Sequence, residues 1–268
     1  MSVTTHERPG GYSEYDASSV VQGRQGRKMV GMAAIHATAP AGVPQTVTSY
    51  EGALIAFGST GGPAMTELIR LALKNGAAGV VAVPVADDEG YEAAFAALAA
   101  MDDIGVVICD SVDREVQQSL RDSAAAASAA RRERIAVAAG GAGETVTELL
   151  ERAKALNSER VVLVAPGGTD EEGKAVSGLS LAAAVAGAIA GTTDPALPLG
   201  GAVLSGLYGL ETTYGDNDLD LLIRGGVTPA ERTGGVTSVV RGVTTRTTTD
   251  GTADTTWREL STILVVDD

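Results

Sequence analysis

Four short runs, "GVVAVPV" (79–85), "IGVVICD" (104–110), "RIAVAA" (134–139) and "RVVLVAP" (160–166), are apolar almost throughout instead of at every second residue. A strand with one wet face alternates; a strand buried on both faces does not. Helical patterns separate the runs: Glu89 to Ala100, Val112 to Ala130, and a helix running from Thr145 to near Asn157. Thr145 and Glu148 have the spacing of a capping box, which fixes where the last of these begins. Buried strands alternating with helices predict an α/β fold, a mostly parallel sheet with helices on both faces and right-handed crossovers.

The pattern extends in both directions. "MVGMAAIH" (29–36) reads as a strand, and Thr48 to Phe57 as a helix opened by a Thr48–Glu51 capping box. Pro63 starts "PAMTELIRLALKNG", an amphipathic helix stopped at Asn75-Gly76, and Leu179 to Ala190 is a buried helix. Residues 1–27 are polar and glycine-rich and read as an arm. After Asp194-Pro195 the chain turns irregular, then forms a short acidic-capped helix at Asp216–Arg224. Near the end, Asp250-Gly251 between threonine-rich runs signals a tight hairpin, and Trp257 to Val266 reads as a final apolar strand. The expected organisation is thus an arm (1–27), an α/β domain (28–195) and a smaller C-terminal α+β domain (196–268). An apolar strand edge left open there would invite pairing with another chain.

Composition narrows the function. A net charge of −14 disfavours nonspecific nucleic-acid binding, which requires positive charge. The one local basic cluster, Arg131, Arg132 and Arg134, follows an alanine-rich helix, where cations complement the helix terminus. The longest apolar run, Leu179 to Ala190, is too short to span a bilayer, and the opening residues carry no apolar signal segment. The single Cys109 lies in a buried strand, which suits a reducing compartment such as the bacterial cytoplasm.

Little in the sequence offers catalysis. His6 lies in the arm and His36 at a strand end, there is no nucleophile elbow, and Cys109 has the setting of an inert thiol. Asp216, Asp218 and Asp220 imitate a calcium loop, but Leu221 and Val227 stand where it needs glycine and glutamate. No metal or cofactor is expected. Glycine turns at Gly140, after a strand, and at Gly58 could present N–H groups to an anion, yet both lack the spacing and lysine of phosphate loops. A small-molecule or nucleotide-binding α/β protein therefore stands as the alternative reading, and an unrelated β-edge interaction module as a third.

Several segments, in order, resemble the contractile tail sheath family of phages and phage-derived injection machines. "RPGGYSEYD" (8–16) is similar to that family's opening, "VTSYEGALIAFGSTGG" (47–62) to its Thr-Ser-x-x-Glu…Phe-Gly element, and "LIRLALKNGAAGVVAVPV" (68–85) to the helix, turn and strand that follow. "DPALPLGGAVLSGLYGLE" (194–211), "LLIRGGVTPAER" (221–232) and "VVRGVTT" (239–245) resemble its C-terminal elements. The resemblance implies a noncatalytic α/β domain of subtilisin-like layout and a C-terminal domain facing a tail tube. It further implies six-fold rings stacked around the tube, which shorten and widen, and arms that add strands to neighbouring subunits. Two departures stand out: the inserted protruding domain is missing, and the sequence stops where sheath chains continue into a helix and a C-terminal arm. A chain without that arm is expected to polymerise poorly.

The resemblance implies, as partners, neighbouring sheath subunits, the tail tube protein, and baseplate and tail terminator proteins, with neither nucleic acid nor membrane insertion. The implied place is the tail sheath of a particle assembled in the bacterial host cytoplasm. Strand exchange would be heterologous and could propagate a helical assembly. Candidate interface residues are Tyr12 in the arm, the hairpin residues Val239, Val240 and Arg241, and Trp257, Ile263, Val265 and Val266 of the final strand.

Overall fold

The computed structural model describes residues 28–59 and 63–268. In its first half the chain runs β1 (Met29–Ile35), β2 (Gln45–Val47), α1 (Tyr50–Phe57), α2 (Pro63–Lys74), β3 (Val80–Val85), α3 (Tyr91–Ala99), β4 (Ile104–Cys109), α4 (Arg114–Ala129) and β5 (Ile135–Ala139). It continues through α5 (Val146–Leu156), β6 (Val161–Ala165), a small hairpin of β7 (Gly168–Thr169) and β8 (Ala175–Val176), and α6 (Leu179–Gly191). The rest comprises β9 (Val203–Leu204), β10 (Gly209–Leu210), α7 (Asp216–Arg224), β11 (Val227–Thr233), β12 (Val236–Val239), the pair β13 (Thr248–Thr249) and β14 (Thr252–Ala253), and α8 (Leu260–Asp267).

Nine strands form one sheet in the order β2-β3-β1-β4-β5-β6-β11-β12-β9. The five strands β3, β1, β4, β5 and β6, with β11 beside β6, pair in parallel, whereas β2, β12 and β9 add antiparallel edges. Alternate residues of each central strand enter different cores. Val30, Met32 and Ala34 face α1, α2, α6 and α8, together with Val162 and Val164. Ala33, Val81, Val83, Leu163 and Ala165 face α3, α4, α5 and α7. This two-sided burial is the physical reason for the unbroken apolar runs.

On the first face α2 and α6 approach very closely. A Cβ on Gly187 would sit 2.3 Å from the Ala72 carbonyl oxygen, and one on Gly191 2.8 Å from Gly76 Cα. The small residues at 187 and 191 let one backbone rest on the other. On the second face, Arg134 is buried and its guanidinium donates to the carbonyls of Leu98 (2.8 Å) and Met101 (2.9 Å). The expected role at the end of the alanine-rich α4 is thus not what Arg134 does: it serves the terminus of the neighbouring helix α3, and Arg132 pairs with Asp102.

Local signals fare differently. The Thr145–Glu148 capping box opens α5, and Asn157, left-handed at φ 33°, ends it. Asp250 and Gly251 both take positive φ, the pair needed to join β13 to β14. The first capping box is shifted: β2 runs to Val47, so Thr48 lies in the link, and Ser49 caps α1 by accepting from the Gly52 N–H (3.0 Å). The hairpin is also smaller than expected. Val239 belongs to β12, which turns back on β11 at Gly234-Gly235, and Val240 and Arg241 follow it. Residues 196–268 supply three strands to the main sheet as well as α7 and α8.

The largest correction concerns the end of the chain. The expected strand is the helix α8. Leu260, Ile263 and Leu264 recur at helical spacing against the first core, while Val265 and Val266 point outward. Arg160, just before β6, pairs with the half-buried Asp267 at the helix end (2.5 Å). A helix satisfies its own backbone, so the edge that an apolar strand would have left open does not exist there.

Two outcomes follow. Gly187→Val should destabilise the protein by at least about 1–3 kcal/mol, read as a lower urea midpoint at unchanged slope; an unchanged midpoint would show that the helices are not in backbone contact. Asp254 accepts from the Thr249 hydroxyl (2.6 Å) and the Thr256 N–H (2.9 Å), and these bonds hold its carboxyl down to about 2. A depressed carboxyl contributes stability that is complete above the ordinary value of about 3.9 and is lost as pH falls through about 2. A carboxyl NMR titration should place its midpoint there, and Thr249→Val should move it back toward the ordinary range.

Candidate functional site

Open parallel sheets bind ligands in the crevice outside the carboxyl ends of their strands. Here β1, β4, β5 and β6 are followed directly by His36, Asp110, Gly140 and Pro166. Each position is occupied by protein. His36 is buried, and its Nδ1 accepts from the Ala39 N–H (2.9 Å), so its Nε2 carries the hydrogen and donates to the Phe57 carbonyl (2.8 Å). The ring ties the loop after β1 to the end of α1. Asp110 accepts from the Tyr91 hydroxyl and from the Ile35 N–H (2.9 Å). Burial pushes its carboxyl up from the usual range, and burial likewise raises the Tyr91 hydroxyl. Beside it, burial pushes the Cys109 thiol up to about 12, so thiolate chemistry is closed to it at neutral pH.

The glycine turn after β5 is filled in the same way. Arg152 on α5 is nearly buried; it pairs with Glu144 and donates to the Val112 carbonyl (2.8 Å) and to Gln117 Oε1 (3.1 Å). Gln117 Nε2 in turn donates to the Ala139 carbonyl (2.8 Å). A Cβ on Gly140 would meet Leu149 of α5 at 2.6 Å and Oε2 of Glu144, in the turn before it, at 3.0 Å, so side chains of the turn and the helix occupy the place of a phosphate. Two turn N–H groups, Gly143 (2.8 Å) and Gly167 (3.0 Å), donate to the carboxylate of Glu211. Glycine, strand and helix are arranged as the sequence implies, but the donors are taken. Among the described residues no group of three or more histidine, cysteine, aspartate or glutamate side chains could hold a metal ion.

The other candidate surface is the sheet edge. β9 is two residues long and pairs with Thr237 and Ser238 of β12. Val203 (61% exposed) and Val236 lie outward, whereas Leu204, Thr237 and Val239 turn into the protein. Of the sequence-derived interface residues, Tyr12 lies outside the described residues. Val239 (1% exposed) and Ile263 (2%) are core. Val240 is half-buried and donates its N–H to the Pro229 carbonyl (2.9 Å). Arg241 is exposed and pairs with Glu259 (2.5 Å). Trp257 is 36% exposed, its carbonyl accepting from the Thr244 hydroxyl (2.7 Å). Val265 (48%) and Val266 (64%) stand out from α8. Leu260 N–H donates to the Gly242 carbonyl (3.3 Å), so the segments around 241 and 259 form one corner. Sequence reasoning missed β2 and β9, whose two or three residues are too few to show a period, and Glu211, an isolated acid in a glycine-rich stretch.

Residues 85–245 match the phage tail sheath protein central domain family. Among solved structures, the sheath tail protein of Desulfitobacterium hafniense is 14% identical, with a TM-score of 0.73 over 96% of this chain and 80% of that one. The helical sheath of the anti-feeding prophage in its contracted state is 19% identical, with a TM-score of 0.69 over 98% of this chain and 74% of that one. The PVC sheath complex of an extracellular contractile injection system, also contracted, is 12% identical, with a TM-score of 0.69 over 99% and 72%. No curated protein matches the chain.

The filled crevice makes one prediction. Arg152→Ala leaves the Glu144 carboxylate and Gln117 unpaired and should cost about 3–5 kcal/mol of stability. Arg152→Met, which fills the space, should cost less than Arg152→Ala when the two are compared by chemical denaturation; equal stability of all three proteins would mean the network is not closed.

Proposed function

The chain belongs to the phage tail sheath protein family, and we propose that it assembles as stacked six-fold rings around a tail tube and contracts to drive that tube through a target envelope. The observation that carries this reading is the family match across residues 85–245, set within a fold shared along nearly the whole chain with contracted sheaths. Its work is mechanical, without a catalytic step. In the Gly140 turn of the small-molecule reading the Gly143 N–H is engaged by Glu211, and at the other turn the Gly58 N–H donates to the Leu54 carbonyl, which favours the sheath reading over that alternative.

In this reading a strand from a neighbouring copy, supplied by the arm that carries Tyr12, pairs with the β9 end of the sheet. Exposed Val203 and Val236, with Arg241, Trp257, Val265 and Val266, meet the neighbour, while Val240, Val239 and Ile263 hold that corner from within. Backbone pairing is donor surface against a different acceptor surface, so repetition extends the assembly instead of closing it. The rigid two-faced body then rotates as a unit, and the energy of contraction comes from subunit contacts that improve on repacking. The partners are neighbouring sheath subunits, the tail tube, the baseplate and the tail terminator. Assembly takes place in the bacterial host cytoplasm, and the product resides in the particle's tail.

Lysine on an edge strand suppresses pairing with a further strand. Val203→Lys combined with Val236→Lys, in the full-length product expressed with its tube and baseplate, should leave naked tubes in electron micrographs. The free subunit should keep its wild-type circular dichroism. Normally sheathed particles would rule out this edge as the assembly surface.

A further inference from the structure

Three separate pieces of chain meet at one carboxylate. Gly143, in the turn before α5, donates its N–H to Glu211 Oε2 (2.8 Å), and Gly167, after β6, donates to Oε1 (3.0 Å). Glu211 returns its own N–H to the Gly167 carbonyl (3.0 Å). Gly143 has a φ of +70°, open to glycine at little cost, and a Cβ on Gly167 would sit 2.6 Å from the Val176 carbonyl oxygen. Two N–H groups from different loops thus converge on both oxygens of one anion, the geometry of a backbone anion receptor. The carboxylate borders an open cavity of about 440 Å³ shared with Thr145 and Tyr214. The Tyr214 hydroxyl is shut off from solvent and has no hydrogen-bond partner among the described residues. Glu144 and Asp218 on the same wall repel any second anion while Glu211 is in place.

We propose that the Gly143–Gly167 pair is a carboxylate receptor whose resident ligand is the chain's own Glu211, and that a free carboxylate replaces Glu211 when it is withdrawn. That contact then ties the link between β10 and α7 to the turns after β5 and β6, alongside the pairing of β10 with β7. This inference does not depend on the assembly reading, and it is tested on the full chain without a tube.

Acetate is the probe, titrated at constant ionic strength against chloride. Glu211→Ala should lower Tm by about 3–8 °C. Acetate should restore at least half of that loss and shift the Gly143 and Gly167 amide resonances saturably, with no such shifts in the wild type. An unchanged Tm, a rescue equalled by chloride, or equal acetate shifts in the wild type would overturn the proposal. Should Glu211→Ala fail to fold, Glu211→Gln gives the answer. Its amide presents one acceptor where two are needed, so one of the two glycine amides should exchange about tenfold faster or more; both retaining wild-type protection would equally refute the receptor.

Discussion

Burial of the central sheet on both faces is the constraint from which the rest of this molecule follows. Once alternate residues of β1, β3, β4, β5 and β6 must enter two different cores, helices have to cover both sides. The chain has few aromatics, at 3%, so the first core is built mainly from Ala, Val, Leu and Ile. Small side chains fill space only if backbones come close, and Gly187 and Gly191 on α6 provide that closeness against α2. Scarcity of aromatics and tight helix packing are therefore one fact seen at two levels.

Covering both faces leaves the edges as the places where sheet backbone can still pair. They are made of short pieces: β2 has three residues and β9 has two. Short edges limit unwanted pairing, a protection that long flat apolar edges lack. They also concentrate any intended pairing in one corner, where β9, β12 and the Arg241–Glu259 ion pair meet. An assembly that must change shape gains from this division. A body with two closed cores resists deformation, and in the proposed assembly a neighbour's strand attached at the rim would follow its rotation.

The sequence is most legible where physics leaves one solution. Continuous apolar runs of five or six residues can only be fully buried strands once helices are seen between them, and Thr145-x-x-Glu148 and Asp250-Gly251 fix boundaries through their own hydrogen bonds or φ, whereas at Thr48-x-x-Glu51 the neighbouring Ser49 takes the cap. It is least legible where two solutions compete locally. "LSTILVVD" is apolar and β-branched, which favours a strand, yet among the described residues no partner strand is placed beside it; its Leu260, Ile263 and Leu264 also fit one helical face, and packing on the first core decides. The interface residues share that fate. Val239 and Ile263 have the character of surface anchors and core residues alike, and burial is settled by neighbours far away in sequence. Glu211 carries no pattern at all, because its meaning arises from two turns 68 and 44 residues away.

The carboxyl-end crevice shows how such a layout becomes a scaffold. The elements that serve catalysis elsewhere are all present: strand ends converging, glycine turns, a helix N-terminus. In this chain each one is closed by a side chain of the chain itself, with His36 on Phe57, Arg152 on Glu144 and Gln117, and Glu211 on both turns. Internal partners cost no loss of translational freedom when they bind, so they outcompete a dilute external ligand of similar chemistry. A site emptied for chemistry would weaken the sheet at its middle; a site filled with its own residues lets a subunit carry force across it.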